Sequence, residues 1–327
     1  MGVIVAGLGA SLPEKVLTNQ DLEKMVDTSD EWITTRTGIK TRRIAREDEP
    51  SSKFAIEAAK IAIENAGMKP ADIDVVIVAT VTPDMMFPST ACIVSSSLGM
   101  GEIPAFDISA ACSGFLYAMN IADSFIRSGK YNTALIIGVE TLSKITDWED
   151  RNTCVLFGDG AGAAVLTRSD EEGILGIEVR SDGTKGDLLY MPAGGSRMPA
   201  SMETVKNRLH FIKMNGREVF KHAVTKMPAI AKEVLDKAGI SVKDVSLFIP
   251  HQANQRITVS TGERLGIDPE KVYSNIERFG NTSAASIPIA WWEAYSKGMI
   301  KENDIILLAA FGGGFTWAAA VVKWRRK

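Results

Sequence analysis

The feature that most constrains this 327-residue chain is that it repeats itself. Ala66-Gly67 stands six residues before Asp72-Ile73 and an apolar strand running to Val78. Ala238-Gly239 stands six before Asp244-Val245 and a strand to Ile249, an offset of 238 − 66 = 172. Asn132 before a strand ending near Gly138 matches Asn303 before a strand ending near Ala310, at 303 − 132 = 171. Ala161 to Arg168 has a looser echo in Thr316 to Lys323. Nearly equal offsets across separate elements indicate an internal duplication. Strands alternate with helices in each copy, which implies an α/β architecture. The expected halves are residues 1–170 and 171–327. In such sheets functional residues gather at strand ends.

One junction stands out in the first half. Ile103 to Ile108 reads as a short strand, and Phe115, Leu116, Ala118, Met119, Ala122, Phe125 and Ile126 make a helix that is apolar nearly all round. Such a helix is buried. Between them a turn of small residues places Cys112 where the helix should begin. Unpaired N–H groups and the positive end of the helix dipole meet there. Both predict a thiol pKa lowered from about 8.5.

Other readings are excluded by composition and pattern. A formal charge of −3 does not suit a general nucleic-acid binder. Cys92, Cys112 and Cys154 are odd in number and lack metal-like spacing, which argues against a disulfide framework and for a reducing, cytoplasmic setting. Met1-Gly-Val-Ile-Val has no basic segment before it and reads as a first strand. The uncharged run Ile305 to Val322 has the length of a membrane span, but Gly312-Gly313-Gly314 divides it into two buried strands. Gly7-Leu-Gly9 lacks the third glycine of a dinucleotide site. Gly158 to Gly162 runs into a strand, whereas a phosphate cradle runs into a helix; its glycines are expected to serve close packing. The Gly-, Pro- and Met-rich stretch from Ser181 to His210 is long enough to be a binding loop.

Three histidines are available. His222 falls within a helical stretch and reads as structural; His210 lies in a strand-like segment. His251 ends the strand Val245 to Ile249, at the same kind of position as Thr80 in the first copy. Asn281 sits in a turn into a helix, where Asn often caps. A Cys before a helix, a His at a strand end and an Asn at a third junction form a set suited to acyl transfer.

The phrases Asp107-Ile-Ser-Ala-Ala-Cys112-Ser-Gly-Phe115, His251-Gln-Ala-Asn254, Gly280-Asn281-Thr-Ser-Ala-Ala-Ser286 and Phe311-Gly-Gly-Gly-Phe315 together resemble β-ketoacyl-acyl carrier protein synthase III, from Val3 to the C-terminus. The resemblance implies the thiolase fold, two βαβαβαββ halves in a five-layered αβαβα sandwich, usually a homodimer. It implies condensation of acetyl-CoA with malonyl-acyl carrier protein to start fatty acid synthesis, with no metal or redox cofactor. Cys112 matches the acyl-accepting nucleophile, and His251 and Asn281 match the pair that binds the malonyl thioester carbonyl. The Cys112 N–H and one from Gly312, Gly313 or Gly314 would bind the oxyanion. Trp32, Arg36 and Arg151 match the coenzyme A site, and Asn254 a pantetheine contact. Phe87 matches the residue that reaches across the dimer to the acyl pocket. Lys221, Arg256 and Arg264 match carrier-docking positions. Glu263 departs from that pattern, since some members carry a second basic residue there, and Asn152 is a glycine in some members. Competing readings are a relative with a branched, quinolone or polyketide starter, a Cys-His-Asn thioester hydrolase, and a non-catalytic acyl-binding protein.

Overall fold

A computed structural model describes residues 2–325; residues 1, 326 and 327, at the ends of the two expected halves, lie outside the described residues. Strands β1 (Gly2–Ser11), β2 (Val75–Ala79), β3 (Ala105–Ile108), β4 (Thr133–Thr141) and β5 (Asp159–Ser169) form one sheet in the order β1-β5-β4-β2-β3. Strands β6 (Ile174–Ser181), β7 (Val245–Pro250), β8 (Ile305–Gly312) and β9 (Thr316–Lys323) form the second in the order β7-β8-β9-β6. In each sheet the last strand of the copy, β5 or β9, pairs antiparallel to both of its neighbours, while β2 and β4, and β7 and β8, pair parallel. The counterpart of β3 is reduced to a single bridge between Phe248 and Val272.

The helices are α1 (Asp30–Thr37), α2 (Ser51–Asn65), α3 (Thr90–Ser97), α4 (Gly114–Arg127), α5 (Gly216–Ala238), α6 (Gln255–Leu265) and α7 (Ser286–Ser296). Ser29 caps α1, its hydroxyl accepting the Trp32 N–H. Two-sided burial explains the layering. The inner faces of both sheets close on α4 and α7 through Val75, Ile77, Phe115, Met119, Leu247, Trp291 and Ile306. The outer face of the first sheet packs on α2 and α3 through Phe54, Ala58, Val76, Val94 and Ile137. That of the second packs on α5 and α6 through Met227, Ile230, Phe248, Ile257 and Leu307. A strand buried on both sides must be apolar throughout, which is why β2 and β4 read as unbroken hydrophobic runs. The result is the five-layered αβαβα thiolase fold.

The repeat extends to the backbone of the turns. Helices α4 and α7 start 286 − 114 = 172 residues apart, and each is preceded by a 3-10 turn, Ala111–Ser113 and Ser283–Ala285. Ala111 (φ 45°) and Ser283 (φ 48°), also 172 apart, share the left-handed conformation that side-chain-bearing residues rarely adopt. Gly162 shows the close packing expected of its motif: a Cβ there would lie 2.7 Å from the backbone N of Ile289 in α7. The run Ile305 to Val322 is the β8–β9 hairpin, and no helix among the described residues is long and apolar enough to cross a membrane.

Two local expectations need correction. His210 lies in a turn, not a strand, and bonds Thr204 Oγ1 at 2.9 Å; the strand begins at Lys213, where pairing partners exist. The stretch 181–210 is not wholly irregular, because Asp182 and Ser201 cap a 3-10 segment and a short helix within it.

Candidate active site

The two duplicated turns abut, and that contact builds the site. A Cβ on Gly114 would stand 2.9 Å from the Ala79 side chain at the end of β2, so glycine lets the start of α4 approach that strand, while Ala284 in the other turn would be in ordinary contact at 3.5 Å. Cys112 lies in the 3-10 turn, one step before α4 proper. A Cβ on Gly312 would fall 2.6 Å from the Cys112 backbone N, so the β8–β9 turn presses its backbone against that of Cys112.

Cys112, His251 and Asn281 line one cavity of about 150 Å³. His251 follows β7, with its N–H on Ala309 O at 2.8 Å, and the residue is 1% exposed. Its Nδ1 meets Ser286 Oγ at 2.6 Å, and Gln252 N–H points at the same oxygen at 3.4 Å. With that lone pair engaged, the hydroxyl is assigned as donor to Nδ1, leaving the ring proton on Nε2. Nε2 is buried without a hydrogen-bond partner among the described residues. A buried polar atom of this kind awaits a ligand oxygen. Asn281 is 7% exposed, and its Oδ1 accepts the Ser283 N–H at 2.9 Å, which commits its amide N–H₂ to the other side. It does not cap α7 directly, because the 3-10 turn intervenes.

The lowered thiol pKa expected from the helix terminus does not survive burial. Desolvation pushes Cys112 up to about 12; hydrogen bonding from the Ser283 side chain acts against it, and the charge of Glu140 adds to it. Removing solvent from a thiolate costs more than the helix end returns. Burial also pulls His251 down to about 3, so the ring is neutral. The unfolded chain takes up a proton on this His below about pH 6.5 and the folded chain does not, so stability falls as pH falls. The cost approaches about 1.4 kcal/mol per pH unit. Urea unfolding at two pH values on either side of 5.5 is expected to show a larger acid loss for wild type than for His251→Gln. Equal losses would mean that the ring is protonated in the folded state.

Around this centre the cavities form a path. The Cys112 cavity shares Leu156, Met214, Gly216, Phe220 and Asn254 with an outer one of about 750 Å³, which reaches Trp32, Arg36 and Arg256 at the surface. Trp32 is flanked by two guanidiniums, Arg36 at 5.0 Å and Arg151 at 5.3 Å from its ring. Arg151 also donates to Asp27 O at 2.8 Å. Asn254 caps α6 through Arg256 N–H and donates to Arg36 O at 3.0 Å, so it has a structural use beside the one expected of it. On the other side Cys112 opens to an apolar cavity of about 230 Å³ with Leu142, Ile145, Phe157, Ile212 and Gly313 on its walls. Gly314 is exposed beyond it.

The remaining expected residues lie elsewhere. Phe87 is 84% exposed, beside Met86 at 77%, and is not part of either cavity around Cys112 in its own chain. Lys221 on α5 and Arg256 and Arg264 on α6 are exposed on two adjacent helices; Arg256 stacks over Phe220 at 5.1 Å. Glu263 is exposed beside Arg264. No group of three or more His, Cys, Asp or Glu is placed to hold a metal ion among the described residues. Sequence reading quoted Ser283 and Ser286 only as parts of a motif and passed over Glu140, although a lone carboxylate in the uncharged strand Thr133–Thr141 was a signal.

Residues 106–183 match the model of the family 3-oxoacyl-[acyl-carrier-protein] synthase III, and residues 235–324 match its C-terminal model. The β-ketoacyl-[acyl-carrier-protein] synthase III of Caldanaerobacter subterraneus subsp. tengcongensis is 59% identical over 98% of each chain. The chain belongs to the β-ketoacyl-[acyl-carrier-protein] synthase III family. A synthase III crystal structure from Aquifex aeolicus superposes with a TM-score of 0.92 at 52% identity, covering 99% of this chain and 100% of that one. The priming β-ketosynthase of the R1128 polyketide pathway has the same TM-score at 35% identity, covering 99% and 96%. Synthase III enzymes are acyltransferases that carry out the initiating condensation of fatty acid synthesis, and this chain is one of them.

Proposed function

We propose that Cys112 takes the acetyl group of acetyl-CoA and that the acyl-enzyme condenses with malonyl-acyl carrier protein to give acetoacetyl-acyl carrier protein, coenzyme A and carbon dioxide. The observation that carries this reading is the position of Cys112 between a channel to the surface and an apolar cavity, with an unpartnered His251 Nε2 beside it. The thioester enters along the channel and its acyl chain passes into the apolar side. The backbone N–H of Cys112 and one from the Gly312–Gly314 turn hold the oxyanion of the attacked thioester. His251 Nε2–H and the Asn281 amide then donate to the malonyl carbonyl oxygen, where charge accumulates as carbon dioxide leaves. No metal or redox cofactor has a part in this scheme. Intact-protein mass spectrometry after mixing with acetyl-CoA tests it: a stable acetyl adduct on Cys112 supports the transferase, and release of free acetate with no adduct supports a hydrolase. The R1128 likeness keeps a different starter unit as the second reading, and the same assay with branched acyl-CoA species distinguishes it.

The coenzyme A nucleotide is assigned to the outer cavity, with adenine stacked on Trp32 and phosphates held by Arg36 and Arg151. Trp32→Ala and Arg36→Ala are expected to raise KM for acetyl-CoA with little change in kcat, because that end of the substrate is bound alike throughout the reaction. An unchanged KM in both variants would move the site elsewhere.

The exposed patch Met85-Met86-Phe87 suits coverage by a second copy of the chain, which makes the enzyme a homodimer and brings Phe87 to the end of the partner's acyl cavity. Each methylene that such a ring excludes is worth about 0.8 kcal/mol. Phe87→Thr is therefore expected to raise kcat/KM for octanoyl-CoA by at least about tenfold and to change that for acetyl-CoA little; an unchanged ratio would remove Phe87 from the pocket. Lys221, Arg256 and Arg264 offer an acidic carrier protein a basic face beside the channel mouth, weakened locally by Glu263. A cytoplasmic location fits these substrates and the free cysteines.

A further inference from the structure

Glu140, near the end of β4, is 0% exposed, and every group that holds it is a neutral donor. Thr82 Oγ1 donates to Oε2 at 2.6 Å and Thr80 Oγ1 at 3.3 Å, Val81 N–H at 3.2 Å, and Ser283 Oγ donates to Oε1 at 3.1 Å. The hydroxyl directions follow from the rest of the network. Thr82 Oγ1 accepts Thr141 N–H and Thr80 Oγ1 accepts Thr82 N–H, and an ionised carboxylate has no hydrogen to give, so the hydroxyls donate to Glu140. Ser283 and Cys112 line the same apolar cavity, at the abutting duplicated turns. Ser283 has a left-handed backbone, its hydroxyl reaches Glu140 and its N–H holds Asn281. Strain kept at such a point is commonly tied to function.

We propose that Glu140 and Ser283 form a proton relay that removes the Cys112 thiol proton during acylation and returns a proton when the thiolate is expelled. This rests on the acyl-transfer reading above. In the first step the S–H bond breaks, Ser283 Oγ takes that proton, and its own passes to Oε1 of Glu140. The sulfur electron pair forms the bond to the acyl carbon, and the carbon–sulfur bond to coenzyme A breaks with its pair leaving on that sulfur, which is protonated from solvent. In the condensation the malonyl-derived carbanion attacks the acyl-enzyme, and the tetrahedral adduct collapses to expel the Cys112 thiolate. That thiolate takes the Glu140 proton back through Ser283. Only one negative charge moves along the relay, so no second charge is buried. Glu140 acts through Ser283 and does not itself touch the substrate.

The electrostatics agree with this use. Burial raises the Glu140 carboxyl to about 7, against the lowering by its hydrogen bonds, which brings its proton affinity near neutral pH. The titratable groups that face it are Cys112 and, in the adjoining cavity, the neutral His251. Asp159 pairs opposite Thr141 on β5 and so hangs on the other face of the sheet, held by Ser143 and Ala45 N–H.

The test is the rate of acetyl transfer from acetyl-CoA to Cys112, followed by intact mass across pH, in wild type, Glu140→Gln and Ser283→Ala. Wild type is expected to rise and level off as Glu140 ionises near pH 7. In both variants that limb is expected to vanish, with the rate near pH 7 lower by about 10²-fold and climbing only toward alkaline pH. A carboxylate that acted only by its charge would give the opposite result, because Glu140→Gln would free the thiol to ionise and speed acylation at every pH. That outcome, or a wild-type profile in both variants, overturns the relay. Ala111 shows that this turn accepts alanine at φ 45°, so Ser283→Ala decides the matter alone if Glu140→Gln fails to fold. A wild-type protein that forms no adduct overturns the transferase reading instead.

Discussion

Cys112→Ala is expected to abolish acyl-enzyme formation and to reduce condensation by a factor on the order of 10⁴ or more. The size follows from the absence of a substitute. Cys92 is exposed on α3, with its thiol near Ala105 O, and Cys154 is buried beneath α1 with Ile33 and Ile276; neither lines a cavity with His251 or Asn281. Alanine leaves the turn, the β8–β9 backbone and the His251–Ser286 contact unchanged, so malonyl decarboxylation is expected to persist at a measurable rate. Labelled acetyl-CoA followed by peptide mapping provides the measurement. Label retained in the variant would move the nucleophile to one of the other cysteines.

The second large effect is expected at His251 and Asn281. In the proposed mechanism each donates one hydrogen bond to an oxygen that becomes charged only as carbon dioxide departs, and a donor of that kind is worth about 3–4 kcal/mol. His251→Ala and Asn281→Ala should each lower decarboxylation by about 10²–10³-fold while leaving acetylation of Cys112 within about tenfold. The division rests on geometry: Cys112 shares its apolar cavity with Ser283, and His251 is held by Ser286 with Nε2 unpartnered among the described residues. Neutral His251 is an advantage here, since a cationic ring in this buried site would carry a large desolvation cost. Separate assays of the two half-reactions decide the matter, and equal losses in both would put His251 into the acylation step.

Much of the architecture was legible because burial on both sides of a sheet leaves a mark on sequence. The apolar strand runs, the apolar face of helix α4, whose other side carries Asp123, Ser124 and Arg127, and the 172-residue offset each reflect a local pattern that side-chain periodicity must obey. The β8–β9 hairpin was readable because a glycine turn divides an uncharged run. Cys112, His251 and Asn281, which line one cavity, were readable as junctions, since their positions follow from where strands end and helices begin.

What the linear chain does not contain is which junctions meet, and the chemistry depends on that. The thiol pKa is the instructive case. Position before a helix is a local property and predicted a lowered value, but the solvent removed from Cys112 belongs to residues as distant as Phe157, Leu189 and Gly312. The same holds for Glu140 and Ser283, 143 positions apart and hydrogen-bonded at 3.1 Å, and for the 2.6 Å pairing of His251 with Ser286 that orients the ring. Phe87 marks the further limit: its exposed ring gains a role only against a second chain. Residue types, element order and the repeat are set by the sequence, because they depend on neighbours along the chain. Proton affinity and hydrogen-bond direction were decided by the tertiary structure, because they depend on dielectric surroundings and on partners that only the packed sheets bring together.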